Sequence, residues 1–219
     1  MPTVVIASPK GGAGKSTAAV LLGTELAHAG ANVVMLDCDP NHSLTLWADR
    51  APLPERIRVL SNVTESDIVR TIKQHDTDGQ IVVVDLEGVA SRLVSRAISQ
   101  ADLVITPMRA TTLDATIGVR ALQLIAEEED ALDRKIPHAM VFTMTKAIRS
   151  KQHSGIAESL SVQGVDLIDP PLMERAAFSA LFEFGGNLRN MPPQGNMEGA
   201  IENAALFAQA VYKRLAEGS

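Results

Sequence analysis

Two lysines bracket a run of glycines near the amino terminus: Lys10-Gly11-Gly12-Ala13-Gly14-Lys15, followed by Ser16 and Thr17. Residues of these types at this spacing can hold phosphate. Gly11, Gly12 and Gly14 let the backbone turn its N–H groups inward as a nest for phosphate oxygens. A helix opening near Lys15 adds the positive end of its dipole. Lys15 then reaches the β- and γ-phosphates as a point charge, and the Ser16 hydroxyl is the expected ligand of Mg²⁺. The common phosphate-loop pattern, G-x-x-x-x-G-K-[ST], calls for a glycine where Pro9 stands. It gives no role to Lys10.

Two acidic stretches complete the constellation. "VVMLDCDP" puts Asp37 and Asp39 at the tip of an apolar run, on the same side of an extended chain because strand side chains alternate with period 2. "IVVVDLEG" ends a second apolar run in Asp85, the form of an acid that holds Mg²⁺ through water. One strand-end aspartate is weak evidence, since strands end in Asp for turn reasons as well. A glycine-rich loop and two acidic strand ends converging on one Mg–nucleotide are strong.

These side chains need a frame. Thr3–Ala7, Val33–Leu36, Ile81–Val84, Leu103–Thr106 and Ala139–Thr143 are short and nearly continuous in apolar character, as strands covered on both faces are. Helical patterns occupy roughly 16–29, 64–75, 90–100, 112–132 and 152–163, and the tail from Glu198 to Ala216 repeats apolar residues at helical spacing. The alternation predicts an α/β fold with a doubly wound, mostly parallel sheet flanked by helices, in one domain over 1–219. In such sheets ligands sit beyond the carboxyl ends of the strands, where the loop and both acidic stretches fall. Phe184–Met197, rich in glycine and proline, reads first as a surface loop and alternatively as a loop closing over a ligand.

Bulk properties narrow the class. The 219 residues are 46% hydrophobic but 3% aromatic, so the core is aliphatic. The lone Cys38 excludes an internal disulfide and an all-cysteine metal site within one chain, and a reducing cytoplasm fits. The five histidines lack metal-ligand spacing. No signal peptide and no apolar run of the roughly 20 residues that span a bilayer is expected. A net charge of −6 argues against coating nucleic acid by overall charge, though not against a local basic patch.

"KGGAGKST" resembles the deviant Walker A motif, KGGxGK[ST], of the ParA/MinD ATPases. "LDCDP" is similar to that family's DxDP element and "IVVVD" to its Walker B strand, while "LVITPMRATTLD" resembles the segment that follows. "DPNHSLTLW" and "PPLMERAAFSALFEFG" look more like small plasmid-partition ParA proteins, and their relatives in conjugative or T-DNA transfer, than like MinD. The resemblance implies a P-loop NTPase with ATP and Mg²⁺ as cofactors. It implies that Lys10 crosses a homodimer interface to the partner's phosphates, that Asp39 positions and activates the attacking water, and that Asp37 lies near the metal beside Ser16 and Asp85. Leu86-Glu87-Gly88 depart from the Thr or Cys followed by Pro that many members carry.

Function follows as an expectation: an ATPase acting as a dimeric switch that positions DNA cargo. It would bind non-specific DNA as the ATP dimer, answer to a ParB-like or transfer-complex partner protein, and reside in the cytoplasm, on the nucleoid when bound to DNA. The chain begins at its first strand, so no operator-reading extension is expected. Thr145 and Lys146 follow a strand where this fold reads the base. Arg149, Lys151, Arg175, Arg189, Lys213 and Arg214 are candidate DNA contacts. The alternative, a MinD-like regulator at the membrane or cell pole, needs a basic amphipathic terminal helix, and the alanine-rich tail reads instead as a packed one. Trp47 and Cys38 read as packing residues.

Overall fold

The computed structural model describes residues 2–76, 79–88, 91–146 and 151–217. Among these, β1 (Thr3–Ile6), β2 (Asn32–Cys38), β3 (Ile57–Leu60), β4 (Gln80–Leu86), β5 (Leu103–Arg109), β6 (His138–Thr143) and β7 (Leu167–Ile168) form one sheet in the order β3-β2-β4-β1-β5-β6-β7. Their pairings are parallel throughout. The expected α/β fold, a doubly wound sheet flanked by helices, is the one observed.

Both faces are covered, which is why the central strands carry few polar residues. On one face α1 (Lys15–His28), α2 (Ser43–Ala48), α7 (Ala176–Phe184) and α8 (Met197–Glu217) bury Ile6, Met35, Val83 and Ile105. On the other, α3 (Ile68–His75), α4 (Arg92–Ile98) and α5 (Thr112–Leu132) bury Val5, Val34, Val84 and Val104. A smaller cluster of Met108, Met140, Phe142 and Leu160 fixes α6 (Lys151–Val162) beside β6. The alanine-rich face of α8 lies against the domain through Ala200, Ala204, Phe207, Ala208 and Val211.

Register levels the strand ends that matter. Asp85 stands opposite Ile6 of β1 on one side and Asp37 of β2 on the other. The five expected strands are present, and β2, β4 and β5 run longer because each continues past the apolar run at its carboxyl end. Helix α3 starts at Ile68 rather than near 64: the Asp67 carboxylate accepts the Thr64 N–H at 2.7 Å and holds a turn there. Four short elements, β3, β7, α2 and α7, escape the periodicity. They span 4, 2, 6 and 9 residues.

The segment 185–196 packs as a surface loop against the back of the molecule. Trp47, fully buried, donates its indole N–H to the Gly186 carbonyl at 3.1 Å. Arg189 forms a two-pronged ion pair with buried Glu25 of α1, the Nη2–Oε2 contact being 2.9 Å. Leu188 and Met191 are buried in the same cluster as α1. The loop does not line the cavities beside the phosphate loop.

Candidate functional site

Strand β1 delivers the chain at Ala7, and α1 begins at Lys15, so residues 8–14 form the loop that the spacing of glycines requires. Gly14 is the N-cap of α1 with φ +88°, a left-handed conformation that β-carbon residues resist. A β-carbon there would also touch Thr143 at 3.4 Å. Thr143, at the end of β6, donates its hydroxyl to the Ala13 carbonyl at 2.8 Å and so anchors the loop from the next strands over. That anchor went unread in the sequence; its one signal is a hydroxyl closing an apolar run.

The loop opens onto a cavity of about 430 Å³ walled by Gly11, Gly12, Lys15, Ser16, Asp39 and Gly88, among others. Lys15 is 6% exposed and has no carboxylate partner among the described residues. Gly88 presses close, since a β-carbon on it would lie 3.2 Å from the Gly11 nitrogen and 3.4 Å from Lys15 Nζ. Next to this space, and sharing Gly14, Thr17 and Met144 with it, is a slot of about 120 Å³ lined by Thr143, Leu172, Arg175 and Phe178.

The three acids differ. Asp39 lines the cavity, and its Oδ1 accepts both the N–H and the side-chain amide of Asn41, each at 2.8 Å. Among the described residues its Oδ2 accepts nothing. Asp37 is engaged: its Oδ2 accepts the Thr45 N–H at 2.8 Å and the Thr45 hydroxyl at 2.6 Å, which fixes the start of α2. Asp85 is fully buried, and among the described residues neither carboxylate oxygen has a hydrogen-bond partner. Burial pushes its carboxyl up to about 7. The Ser16 hydroxyl and Lys15 ammonium pull the other way, and Asp37 and Asp39 push it further up. Ser16 is near enough to act on Asp85 but makes no hydrogen bond of ordinary geometry to it. A buried carboxylate without partners beside a hydroxyl is a donor set suited to a hard cation such as Mg²⁺.

Lys10 does not reach into the cavity. It pairs with Asp114 of its own chain, a residue 2% exposed in the first turn of α5, where Thr111 caps the helix. The second oxygen of Asp114 is buried without a partner. Thr145 and Lys146 also stand apart. Thr145 bridges Met173 through the backbone; Met144, Met173 and Phe178 line the slot, and Thr145 and Lys146 do not.

Among the candidate DNA contacts, Arg189 is engaged by Glu25, Arg214 by Asp166 (2.6 Å), and Arg175 turns to the slot beside the loop. Lys213 lies 3.7 Å from Glu217, and Lys151 is exposed. Arg149 lies outside the described residues. Cys38 is buried, and burial, with Asp37 and Asp85 adding, pushes its thiol well above the ordinary range. No cluster of His, Cys, Asp and Glu among the described residues could hold a metal by itself, and no described helix is long and apolar enough to cross a membrane.

A family model described as VirC1 protein matches residues 1–214. The chain belongs to the VirC1 family. A protein named Protein ParA from Rhizobium radiobacter is 67% identical over 219 residues, covering 99% of each chain. The family match and this relative together place the chain among ParA-like ATPases. The structure of apo McdA from Cyanothece superposes with a TM-score of 0.77 at 18% identity, covering 98% of this chain and 99% of that one. Cobyrinic acid a,c-diamide synthase from Mycobacterium smegmatis, solved with an ATP analogue and magnesium, gives 0.75 at 15% identity, covering 100% and 97%. Likeness at these identities speaks for the fold alone, which serves unrelated activities.

Proposed function

We propose that this VirC1-family chain is a Mg-ATP-dependent dimeric switch that positions DNA cargo, in plasmid partition or in a transfer complex. The observation that carries the proposal is the convergence of Lys15, Ser16, Asp39 and Asp85 at level strand ends, with a second lysine, Lys10, held just outside the cavity. Residues 10–17 would cradle the phosphates, and the slot walled by Met144 and Phe178 would take the base. Ser16 and Asp85 would hold Mg²⁺, which when bound neutralises charge on the phosphates. Asp37 serves that site indirectly by fixing the turn that carries Asp39. Asp39, oriented through one oxygen by Asn41, has the other free to orient water and accept its proton.

Lys10 gives the switch its logic. In the single chain Asp114 retains it. In a dimer Lys10 would leave Asp114 for the partner's nucleotide, adding positive charge at the β–γ bridge only when two chains meet, as an arginine finger does in trans. ATP then favours the dimer and hydrolysis releases it. The cargo reading draws on the relative named ParA. DNA would be bound without sequence preference by the dimer, with a partner protein stimulating hydrolysis. A membrane-seated MinD-like role finds less support, because the apolar side of α8 is already occupied by the domain.

Sedimentation with saturating Mg-ATP tests the proposal. Wild-type chain should dimerise, Asp39→Ala should remain dimeric with hydrolysis reduced by about 100-fold or more, and Lys10→Ala should bind ATP yet stay monomeric. A wild-type chain that binds ATP and remains a monomer would overturn the switch. Salt-dependent retention of DNA with ATP but not ADP tests the cargo reading separately.

A further inference from the structure

Behind the phosphate loop, between α4, α5 and the sheet, lies a separate cavity of about 220 Å³. Its inner walls are apolar: Val94, Ile98, Val104, Leu124 and Ile125. One polar group interrupts them. Thr106 of β5 is 1% exposed, lines the cavity, and among the described residues its hydroxyl has no hydrogen-bond partner. A hydroxyl buried in that state is destabilising. Ser8, Glu87 and Arg120 also line the space, Arg120 as an exposed side chain.

We infer that this cavity is a binding site for a small, neutral ring compound carrying one hydroxyl, which pairs with Thr106 while the ring fills the aliphatic walls. Size agrees: a dry cavity of about 150 Å³ lined by aliphatic and aromatic residues takes benzene, so 220 Å³ admits a ring with a substituent. Glu87 and Arg120 supply one charge of each sign, so no net charge on the walls calls for an ion. The position makes the site regulatory. Its walls include Ser8 and Pro9, which lead into Lys10, and Glu87, two residues beyond Asp85. They also include the middle of α5, the helix that carries Asp114 at its start. A ligand wedged there bears on both lysine-holding and metal-holding segments from the far side of the sheet. This regulatory role rests on the ATPase reading; the binding site does not.

Phenol and toluene, matched in size and differing in one hydroxyl, are the probes. The nucleotide-free full chain is titrated with each and followed by backbone amide NMR. Both should shift residues of α4 and α5 saturably, with phenol about 5-fold tighter, as one added hydrogen bond gives. Thr106→Val should remove phenol's advantage and leave toluene unchanged. Ala121→Phe, which fills the space, should abolish both; if it fails to fold by circular dichroism, the conservative Thr106→Val decides alone. Absence of saturable shifts, shifts elsewhere, or an advantage for phenol that survives Thr106→Val would overturn the site. A steady-state ATPase rate changed at least about 2-fold by saturating phenol, and unchanged by phenol in Thr106→Val, supports regulation; an unaltered wild-type rate overturns the regulatory half while the binding result stands.

Discussion

Two glycine-rich loops sit in this molecule, residues 8–14 and 185–196, and composition alone does not tell them apart. Their polar groups do. In the second loop the carbonyl of Gly186 is taken by Trp47, the guanidinium of Arg189 by Glu25, and the Asn187 side chain by the Arg189 N–H at 2.8 Å. In the first, among the described residues, Lys15 lies buried with no acid paired to it, and the neighbouring Asp85 keeps two oxygens without partners. A loop that closes its own hydrogen bonds is structure, and a loop surrounded by unpaired buried charge is waiting for a ligand. Glycine serves both: at Gly14 it admits φ +88° to start a helix against Thr143, and at Gly185 it leaves room for the backbone of Ala51, 2.8 Å from where a β-carbon would stand.

The contrast breaks most readily at Lys15. Lys15→Ala should lower ATP affinity by about 30-fold or more, the worth of a charge-assisted contact to phosphate, with the melting temperature unchanged or raised. Isothermal titration calorimetry reads the first and a thermal melt the second. Glu25→Ala should do the opposite. It leaves Arg189 half-buried without its partner, so stability should fall by about 2–3 kcal/mol and the melting temperature by about 5–10 °C, with ATP affinity unaltered. Trp47→Phe gives the smallest effect, about 1–2 kcal/mol of stability in a denaturant titration, from the lost bond to Gly186 and a slightly smaller ring. A change in ATP affinity with either of the last two would mean that the rear loop belongs to the site after all.

Much of the site was legible in the primary structure because its elements are local. The loop from Lys10 to Thr17 is contiguous, and the acids at 37, 39 and 85 close apolar runs whose strand character is strong. Roles that depend on a neighbour were not legible. Asp37 and Asp39 look equivalent two residues apart, yet Thr45 engages one and Asn41 orients the other. Thr145 was expected near the base because it follows β6; a left-handed turn at Met144, φ +52°, carries the chain on so that Thr145 pairs with Met173, while Met144 lines the slot. Basic residues at 175, 189 and 214 read alike in sequence and differ in what they touch.

By itself, then, the sequence determined the class of fold and the placing of the glycine-rich loop and the three acids at one edge of the sheet, because those follow from hydrophobic periodicity and from contiguous residue types. The tertiary structure decided which groups remain unpaired. It set Lys10 on Asp114, 104 positions away. It locked the rear loop through Glu25, 164 positions from Arg189, and left the Thr106 hydroxyl facing an apolar cavity. Satisfaction of a buried polar group is a property of three-dimensional neighbours, and no spacing along the chain encodes it.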